Sequence, residues 1–155
     1  MWLNIKNSFF VNEIIIDWGK TLAEVDALLE FVGRSYSEYR GKKRSVQCAC
    51  ANIFDFPAVS AECHAPSYEK PVTQVFFDLA PPDIAKQNNH EIWSLPLSEQ
   101  FGIPENVSKS SNYGSGSVIH NFQWNHFPVQ LGLSVFGGVR KGIPYPVMIW
   151  SFLNV

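Results

Sequence analysis

The chain presents the same order of sequence patterns twice. In each half a β-like run leads to a Phe-Pro pair, Phe56-Pro57 in the first half and Phe127-Pro128 in the second. A further apolar run follows each pair, and a Pro-Val pair then opens a last apolar strand. Because a matched order of elements is typical of repeated units, we predict two diverged copies, at about residues 9–80 and 91–155.

Each predicted copy begins with a helix. In the first copy Thr21 and Glu24 form a capping-box pattern, and Gly33 is placed to end the helix. Between them lies an apolar stripe of residues at helical spacing: Leu22, Val25, Leu28, Leu29 and Val32. The helix of the second copy is shorter. It is predicted around Leu97 to Phe101, with Pro96 in its first turn.

These patterns predict one α+β domain that spans residues 1–155. Each copy is a helix followed by a three-stranded antiparallel meander, and the meanders join into one sheet with both helices on one face. Such a sheet buries one side and leaves the other available. The run from Phe9 to Asp17 is predicted as an additional strand, and the stretch from Ala80 to Asn89 as the linker between the copies.

Composition and charge exclude several classes of protein. A chain of 155 residues with 46% hydrophobic residues can bury a core without disulfides or metals. The net charge is -2, and the cluster Lys42-Lys43-Arg44 indicates a solvated turn, with a phosphate-binding patch as the alternative. We therefore expect no nucleic-acid partner. No secretory signal and no apolar run of about 20 residues is visible, so we expect a cytoplasmic protein without a membrane partner.

The cysteines leave two alternatives open. Cys48, Cys50 and Cys63 are odd in number, which does not indicate an extracellular disulfide framework. If the strands fold back on each other, Cys63 lies roughly opposite the other two, and His64 beside it makes a thiolate-imidazole metal site conceivable. The spacing fits no standard zinc pattern, so we favour reduced core thiols and expect neither metal nor cofactor.

Sequence motifs of common enzymes are absent. The chain has no dinucleotide-binding or phosphate-binding glycine loop, no zinc-protease helix motif and no nucleophile elbow. The histidines are each interpreted as structural: His64, His90, His120 and His126. Asp55 and Asp78 are interpreted as turn chemistry. We therefore predict that the protein is not an enzyme and has no catalytic residues.

Aromatic residues offer a stronger functional signal. Many tyrosines and tryptophans fall at turns or element ends, and these residue types concentrate binding energy at protein interfaces. Tyr36, Tyr39 and Tyr113 lie in polar stretches that contain glycine or serine, so we predict that they bind a partner. Aromatics also stack on sugars, and a carbohydrate or small-ligand binding domain is the alternative if several of them share one exposed face.

One resemblance adds to this interpretation. A helix that closes with Phe101-Gly102-Ile103-Pro104 before a meander, in a short chain without catalytic motifs, resembles small bacterial immunity proteins of polymorphic toxin systems. The resemblance implies a protein partner, the cognate toxin domain, which is neutralised when its active site is covered. It assigns no residue a function. An enzyme of unfamiliar type is the third reading, after the carbohydrate or small-ligand binding domain.

Overall fold

The protein is mostly β-structure. The computed structural model describes residues 5–29, 34–39, 41–80, 90–112, 117–137 and 147–153. The helices are α1 (Leu22–Leu28) and α2 (Glu91–Phe101). The strands are β1 (Ser8–Val11), β2 (Ile14–Asp17), β3 (Arg34–Tyr39), β4 (Lys42–Ala49), β5 (Asn52–Ile53), β6 (Phe56–His64), β7 (Gln74–Leu79), β8 (Asn106–Asn112), β9 (Ser117–His126), β10 (Val129–Gly137) and β11 (Val147–Leu153).

A large antiparallel sheet organises the described residues. Its strand order is β3-β4-β6-β7-β11-β10-β9-β8, and the short β5 pairs with β6 beside this path. The last strands of the two halves, β7 and β11, pair at the centre, where Phe76 lies opposite Trp150 in register. The strands β1 and β2 form a separate two-stranded sheet. The edges of the large sheet are therefore β3 and β8.

One face of the large sheet carries two rows of buried apolar side chains. Strand residues alternate between faces, so the cross-strand register places each row along one line across the sheet. The first row contains Val46, Cys63, Val75, Leu131 and Trp124. The second contains Cys48, Ala61, Phe77, Leu133 and Phe122. We call this side of the sheet the core face.

The helices and the small hairpin cover the core face. Val25 of α1, Leu97 of α2 and Val11 of the β1–β2 hairpin are all fully buried, in one cluster with the two rows. Burial of apolar area at this junction is the main stabilising contribution to the fold. The hairpin is also tied to the sheet by hydrogen bonds, because Asn12 donates to Ala49 O at 2.7 Å and accepts from Ala51 N at 2.8 Å.

The start of α1 is stabilised by caps from two directions. The predicted capping box is confirmed: Glu24 N donates to Thr21 Oγ1 at 3.1 Å, and Thr21 N donates to Glu24 Oε1 at 3.2 Å. Hydrogen bonds from Thr21 lower the pKa of the Glu24 carboxyl. The β6–β7 loop supplies further acceptors, since Leu22 N and Ala23 N donate to the carbonyls of Lys70 and Tyr68. The first helical N–H groups thus have partners.

Side chains of β9 hold the end of α2. Trp124 donates its ring N–H to Gly102 O at 2.8 Å, and His126 Nε2 lies 3.1 Å from Phe101 O. Carbonyls at a helix C-terminus have no partner within the helix, so these contacts satisfy groups that otherwise need water. The same β9 strand therefore packs against α2 through Phe122 and Trp124 and also fixes where the helix ends.

The predicted repeat of a helix with a three-stranded meander in one sheet is wrong. Strands dominate the molecule, both helices are short, and a second sheet, β1–β2, packs beside the large one. The prediction missed the edge strands β3 and β8, whose sequences are RSYSEY and NVSKSSN. An edge strand pairs on one side only and tolerates polar residues, so its sequence lacks the apolar alternation that indicates a strand.

Two local predictions are corrected as well. The predicted strand from Phe9 to Asp17 is a hairpin, because Asn12 and Glu13 adopt positive φ angles of 49° and 71° at its turn. The second helix begins at Glu91, so Pro96 lies inside it and not in its first turn.

The predicted linker falls largely on residues 81–89, which lie outside the described residues. Within the described residues, neither helix has the length and apolar character needed to cross a membrane.

The contact between Trp124 and the end of α2 yields a stability prediction. Trp124→Phe replaces a fully buried indole with a smaller ring and removes its hydrogen bond to Gly102, so we expect the free energy of unfolding to fall by about 2–4 kcal/mol in urea denaturation. Trp18→Phe is the matched control. Trp18 donates to Ile5 O at 2.9 Å but is only partly buried, and a loss of about 1 kcal/mol is expected. Equal losses for the two variants are the contrary result.

Candidate functional site

The described side chains on the side of the large sheet opposite the core face are mostly polar, and the register places Met148, Trp150 and Phe152 of the central strand β11 at positions on this side. We call this side the outer face. The described residues at its positions are Ser45, Gln47, Ala49, Ser60, Glu62, His64, Gln74, Phe76, Asp78, Asn106, Ser108, Asn121, Gln123, Asn125, Gln130, Gly132 and Ser134. Most of them are exposed or half-buried, whereas their neighbours along each strand are buried in the core. This alternation is typical of an antiparallel sheet that is covered on one side.

An amide network orders the β9–β10 half of the outer face. Asn125 Oδ1 accepts hydrogen bonds from Gln123 Nε2 at 3.2 Å and from Gln130 Nε2 at 3.1 Å. Nearby, Ser134 Oγ donates to Asn121 Oδ1 at 2.7 Å. Asn125 N in turn donates to Glu105 Oε2 at 2.8 Å, which joins the loop before β8 to the network. These amides are held in fixed orientations before any partner arrives.

The β6–β7 half of the outer face carries the ionisable groups. His64 Nε2 lies 3.1 Å from Glu62 Oε1, and Ser60 Oγ donates to Asp78 Oδ2 at 3.1 Å. The His64 ring also packs edge-on against Phe76, with centroids 5.1 Å apart. A partly buried aromatic ring thus sits in the middle of the sheet, with hydrogen-bonding groups on both sides of it.

The sequence contains a signal for this face that sequence reasoning missed. The segment Asn121-Phe122-Gln123-Trp124-Asn125 alternates polar and apolar residues with a period of two, and it occurs in β9. The apolar members are buried in the core, and the amides form the network on the outer face. Charged residues and tyrosines indicate a site by residue type, whereas these amides indicate one only through their alternation with buried residues.

The predicted partner-binding residues lie elsewhere or outside the described residues. Tyr36 and Tyr39 are in the edge strand β3, where Tyr36 is paired with Val46 of the core-face row and Tyr39 with Lys42 near the turn. Tyr113 lies outside the described residues. The structure does not bring Tyr36 and Tyr39 into the amide network, and their role in binding stays a prediction.

Four described tryptophans and tyrosines at turns or element ends divide between the core and its periphery. Trp93 and Trp124 are buried, with 4% and 0% of their surface exposed, and Trp18 and Tyr68 are partly buried against the core. Trp18, Tyr68, Trp93 and Trp124 therefore do not share one exposed face.

The thiols of the conceivable metal site are separated from its histidine. Cys48 and Cys63 face the core, whereas His64 lies on the outer face beside Glu62. Burial raises the pKa of the Cys48 thiol to about 11, and burial also raises the pKa values of Cys50 and Cys63. Within the described ranges, no three potential ligands of the His, Cys, Asp and Glu types gather around one point.

Two histidines meet at the start of α2. The rings of His90 and His120 are tilted by 34° with centroids 4.6 Å apart, and the centroids of His90 and Phe122 are 5.3 Å apart. Burial lowers the pKa of His120, with smaller contributions from His90 and Lys109. The histidine pair therefore belongs to the contact between α2 and the large sheet.

Asp55, which the sequence indicates as a turn residue, occupies a turn with a positive φ of 65°.

A basic cleft lies near the β3–β4 turn. It has a volume of about 520 Å³ and is lined by Gly41, Lys42, Lys43, Ser67, Tyr68 and Glu69. Lys43 Nζ lies 5.1 Å from the centroid of the Tyr68 ring, and Tyr68 donates a hydrogen bond of 2.5 Å to the buried Asp26 carboxylate. The cleft therefore combines the cations Lys42 and Lys43 with the Glu69 carboxylate.

Comparison of the chain with protein-family models, curated proteins and solved structures found no significant match.

Thiol reactivity tests the placement of the cysteines. A pKa near 11 instead of 9.0 leaves about 100-fold less thiolate at Cys48, and the thiolate is the reactive form. We expect a disulfide reagent to modify none of the three thiols quickly in the native protein and all three after unfolding. Rapid modification of one native thiol is the contrary result. Stoichiometric zinc that is lost in Cys63→Ser overturns the metal-free prediction.

Proposed function

We propose that the protein is a binding module for another protein. In its leading version it is a bacterial immunity protein that acts in the cytoplasm and neutralises a cognate toxin domain by covering it. The observation that carries the proposal is the outer face: a broad antiparallel surface whose described flanks are polar, with the half-buried Phe76 of β7 opposite Trp150 of the central strand β11 in register. Interfaces between proteins have this anatomy, with an apolar middle and a polar rim.

The order of the outer face supports the same function. Binding costs conformational entropy when side chains become fixed, and side chains that are already fixed lose less. Asn125 holds both Gln123 and Gln130, and Asp78 holds Ser60. An inhibitor that acts by occlusion needs such a rigid, specific surface and does not require an acid, base or nucleophile of its own.

The first experiment asks whether the protein protects cells. We predict that a large secreted protein with a variable C-terminal domain is encoded directly upstream of this gene. Expression of that domain alone is expected to arrest growth of a laboratory bacterium, and co-expression of this protein to restore it. Continued arrest with both proteins soluble contradicts the immunity function. If the protein turns over a small molecule, and substitution of one histidine or carboxylate abolishes this turnover, an enzyme function replaces the immunity function.

A matched pair of variants then locates the interface. Phe76→Ala is expected to weaken the complex by about 2 kcal/mol, roughly thirtyfold, because it removes an aromatic residue near the centre of the outer face. Leu95→Ala is the control, since Leu95 is an apolar residue that is 57% exposed on α2, away from the outer face. Calorimetry gives the affinities, and melting temperatures separate a loss of binding from a loss of folding. Stronger losses for Leu95→Ala than for Phe76→Ala contradict the assignment.

The tyrosine variants give a separate answer in the same assay. Tyr36→Ala, Tyr39→Ala and Tyr113→Ala are expected to weaken the complex if the interface extends from the outer face to the edge strand β3. An unchanged affinity for all three removes them from the interface and leaves the outer face as the proposed site.

A further inference from the structure

The start of α2 meets the large sheet through a pair of histidine rings. His90 is the N-cap residue of α2, and the centroid of its ring lies 4.6 Å from that of His120 and 5.3 Å from that of Phe122, both in β9. The carbonyl of His90 also accepts the first hydrogen bonds of the helix, from Trp93 N at 3.1 Å and Ser94 N at 3.0 Å. The ring contact and the start of the helix therefore depend on the same residue.

The strands around the pair bring a positive charge close to it. Lys109 of β8 lies opposite His120 in register, and the apolar Val135 of β10 lies opposite it on the other side. On the helix, Glu91 follows His90, and it is exposed. The charged residues on the described elements around the pair are therefore Lys109 of β8 and Glu91 of α2 itself.

One ring nitrogen of the pair is buried. Nδ1 of His90 is shielded from solvent, and no group among the described residues forms a hydrogen bond with it. A neutral imidazole carries hydrogen on one nitrogen, whereas the charged ring carries hydrogen on both. A charged His90 therefore buries a donor for which the described residues supply no acceptor, and this costs free energy. The charge also lies at the positive end of the α2 dipole, which is unfavourable for a cation.

The second ring of the pair resists protonation in the folded chain. Burial lowers the pKa of His120 from its ordinary value of 6.5, and His90 and Lys109 lower it further. The unfolded chain therefore binds a proton at this ring more readily than the folded chain does. By linkage, the stability that the neutral ring contributes is fully present above pH 6.5 and is lost as the pH falls below that value. Acid thus weakens the contact between α2 and β9.

We propose that the His90–His120 pair is an acid-sensitive switch between α2 and the large sheet. At neutral pH the two uncharged rings lie against each other and hold the start of α2 on β9. When both rings take up protons in mild acid, two positive charges on rings 4.6 Å apart repel each other beside Lys109, and the first turn of α2 separates from the sheet. The sheet stays closed, because β9 and β10 remain paired along their length. The switch needs no partner, so its test is independent of the proposed function.

Hydrogen exchange at single backbone amides tests the switch in the isolated protein. Protection factors, which correct for the effect of pH on intrinsic exchange, are compared between about pH 7.5 and about pH 5, the range in which histidine titrates. The amides followed are those of Trp93 and Ser94 in α2 and of Leu131 and Leu133 in β10. We expect the protection of the two helix amides to fall about tenfold in acid, the scale of repulsion between two unit charges at this separation near a protein surface, and that of the strand amides to fall less. Unchanged protection at Trp93 and Ser94 overturns the switch, and so does an equal fall at all four amides.

Two variants that each remove one histidine separate the switch from a general effect of acid. His120→Gln leaves a polar side chain on β9 that takes up no proton, so the acid-induced loss of protection at the start of α2 is expected to disappear. His64→Gln is the matched control, because His64 lies on the outer face beside Glu62, and here the loss is expected to remain. A loss that persists in His120→Gln, or that disappears in both variants, contradicts the switch.

A third variant, His90→Gln, tests the coupling between the two rings and repeats the exchange measurement if His120→Gln does not fold. The ring signals of His120 are followed by NMR as a function of pH. Because the charge of His90 opposes a proton on His120, the midpoint of the His120 titration is expected to move to higher pH in His90→Gln. A midpoint that stays in place or moves to lower pH shows that the rings are not coupled, and it overturns the switch.

Discussion

Burial of one face of the large sheet is the constraint on which the rest of the structure depends. Two rows of apolar side chains cross the strands, and both helices and the β1–β2 hairpin pack on the same side. All the elements outside the large sheet that contribute to the described core do so from that side. The opposite side carries mostly polar residues among the described side chains, because a side chain on an alternating strand can face only one way.

The way α2 is fixed shows how the core and the outer face depend on each other. Trp124 faces the core and donates to the end of α2, while Gln123 and Asn125 on either side of it form the amide network. The register between β9 and β10 that buries Trp124 opposite Leu131 is the register that brings Gln130 to Asn125. A slip of one residue in this pair would expose the tryptophan and dismantle the network together.

Sequence reasoning found the local features that depend on near neighbours. The capping box of Thr21 and Glu24 is a pattern of four residues, and it was predicted correctly. The polar edge strands β3 and β8 were missed, since their strand conformation comes from pairing with β4 and β9 and not from their own composition. The turn at Asn12-Glu13 was missed because positive φ angles there are favoured most strongly by glycine, and the sequence has none at that point.

Local sequence patterns do not predict the candidate site, because it also depends on strand pairing. Asn125, Gln123 and Gln130 meet because of strand pairing, and no spacing of amides along the chain indicates such a network. The tyrosines were selected because their sequence surroundings are polar, a criterion that takes no account of which face of a strand they occupy. The separation of Cys63 from His64, in contrast, follows from the alternation of neighbouring strand residues, which is a property of local sequence.

The most direct test of the outer face as the binding surface is the side-chain amide signals of its own network. In an NMR titration with the cognate toxin domain, the NH₂ signals of Gln123, Gln130 and Asn125 can be followed beside that of Gln100, an exposed glutamine on α2. The account predicts that the three network signals shift or broaden as the complex forms, while the signal of Gln100 stays in place. Unchanged network signals, with a shift confined to Gln100 and the helix layer, would contradict it.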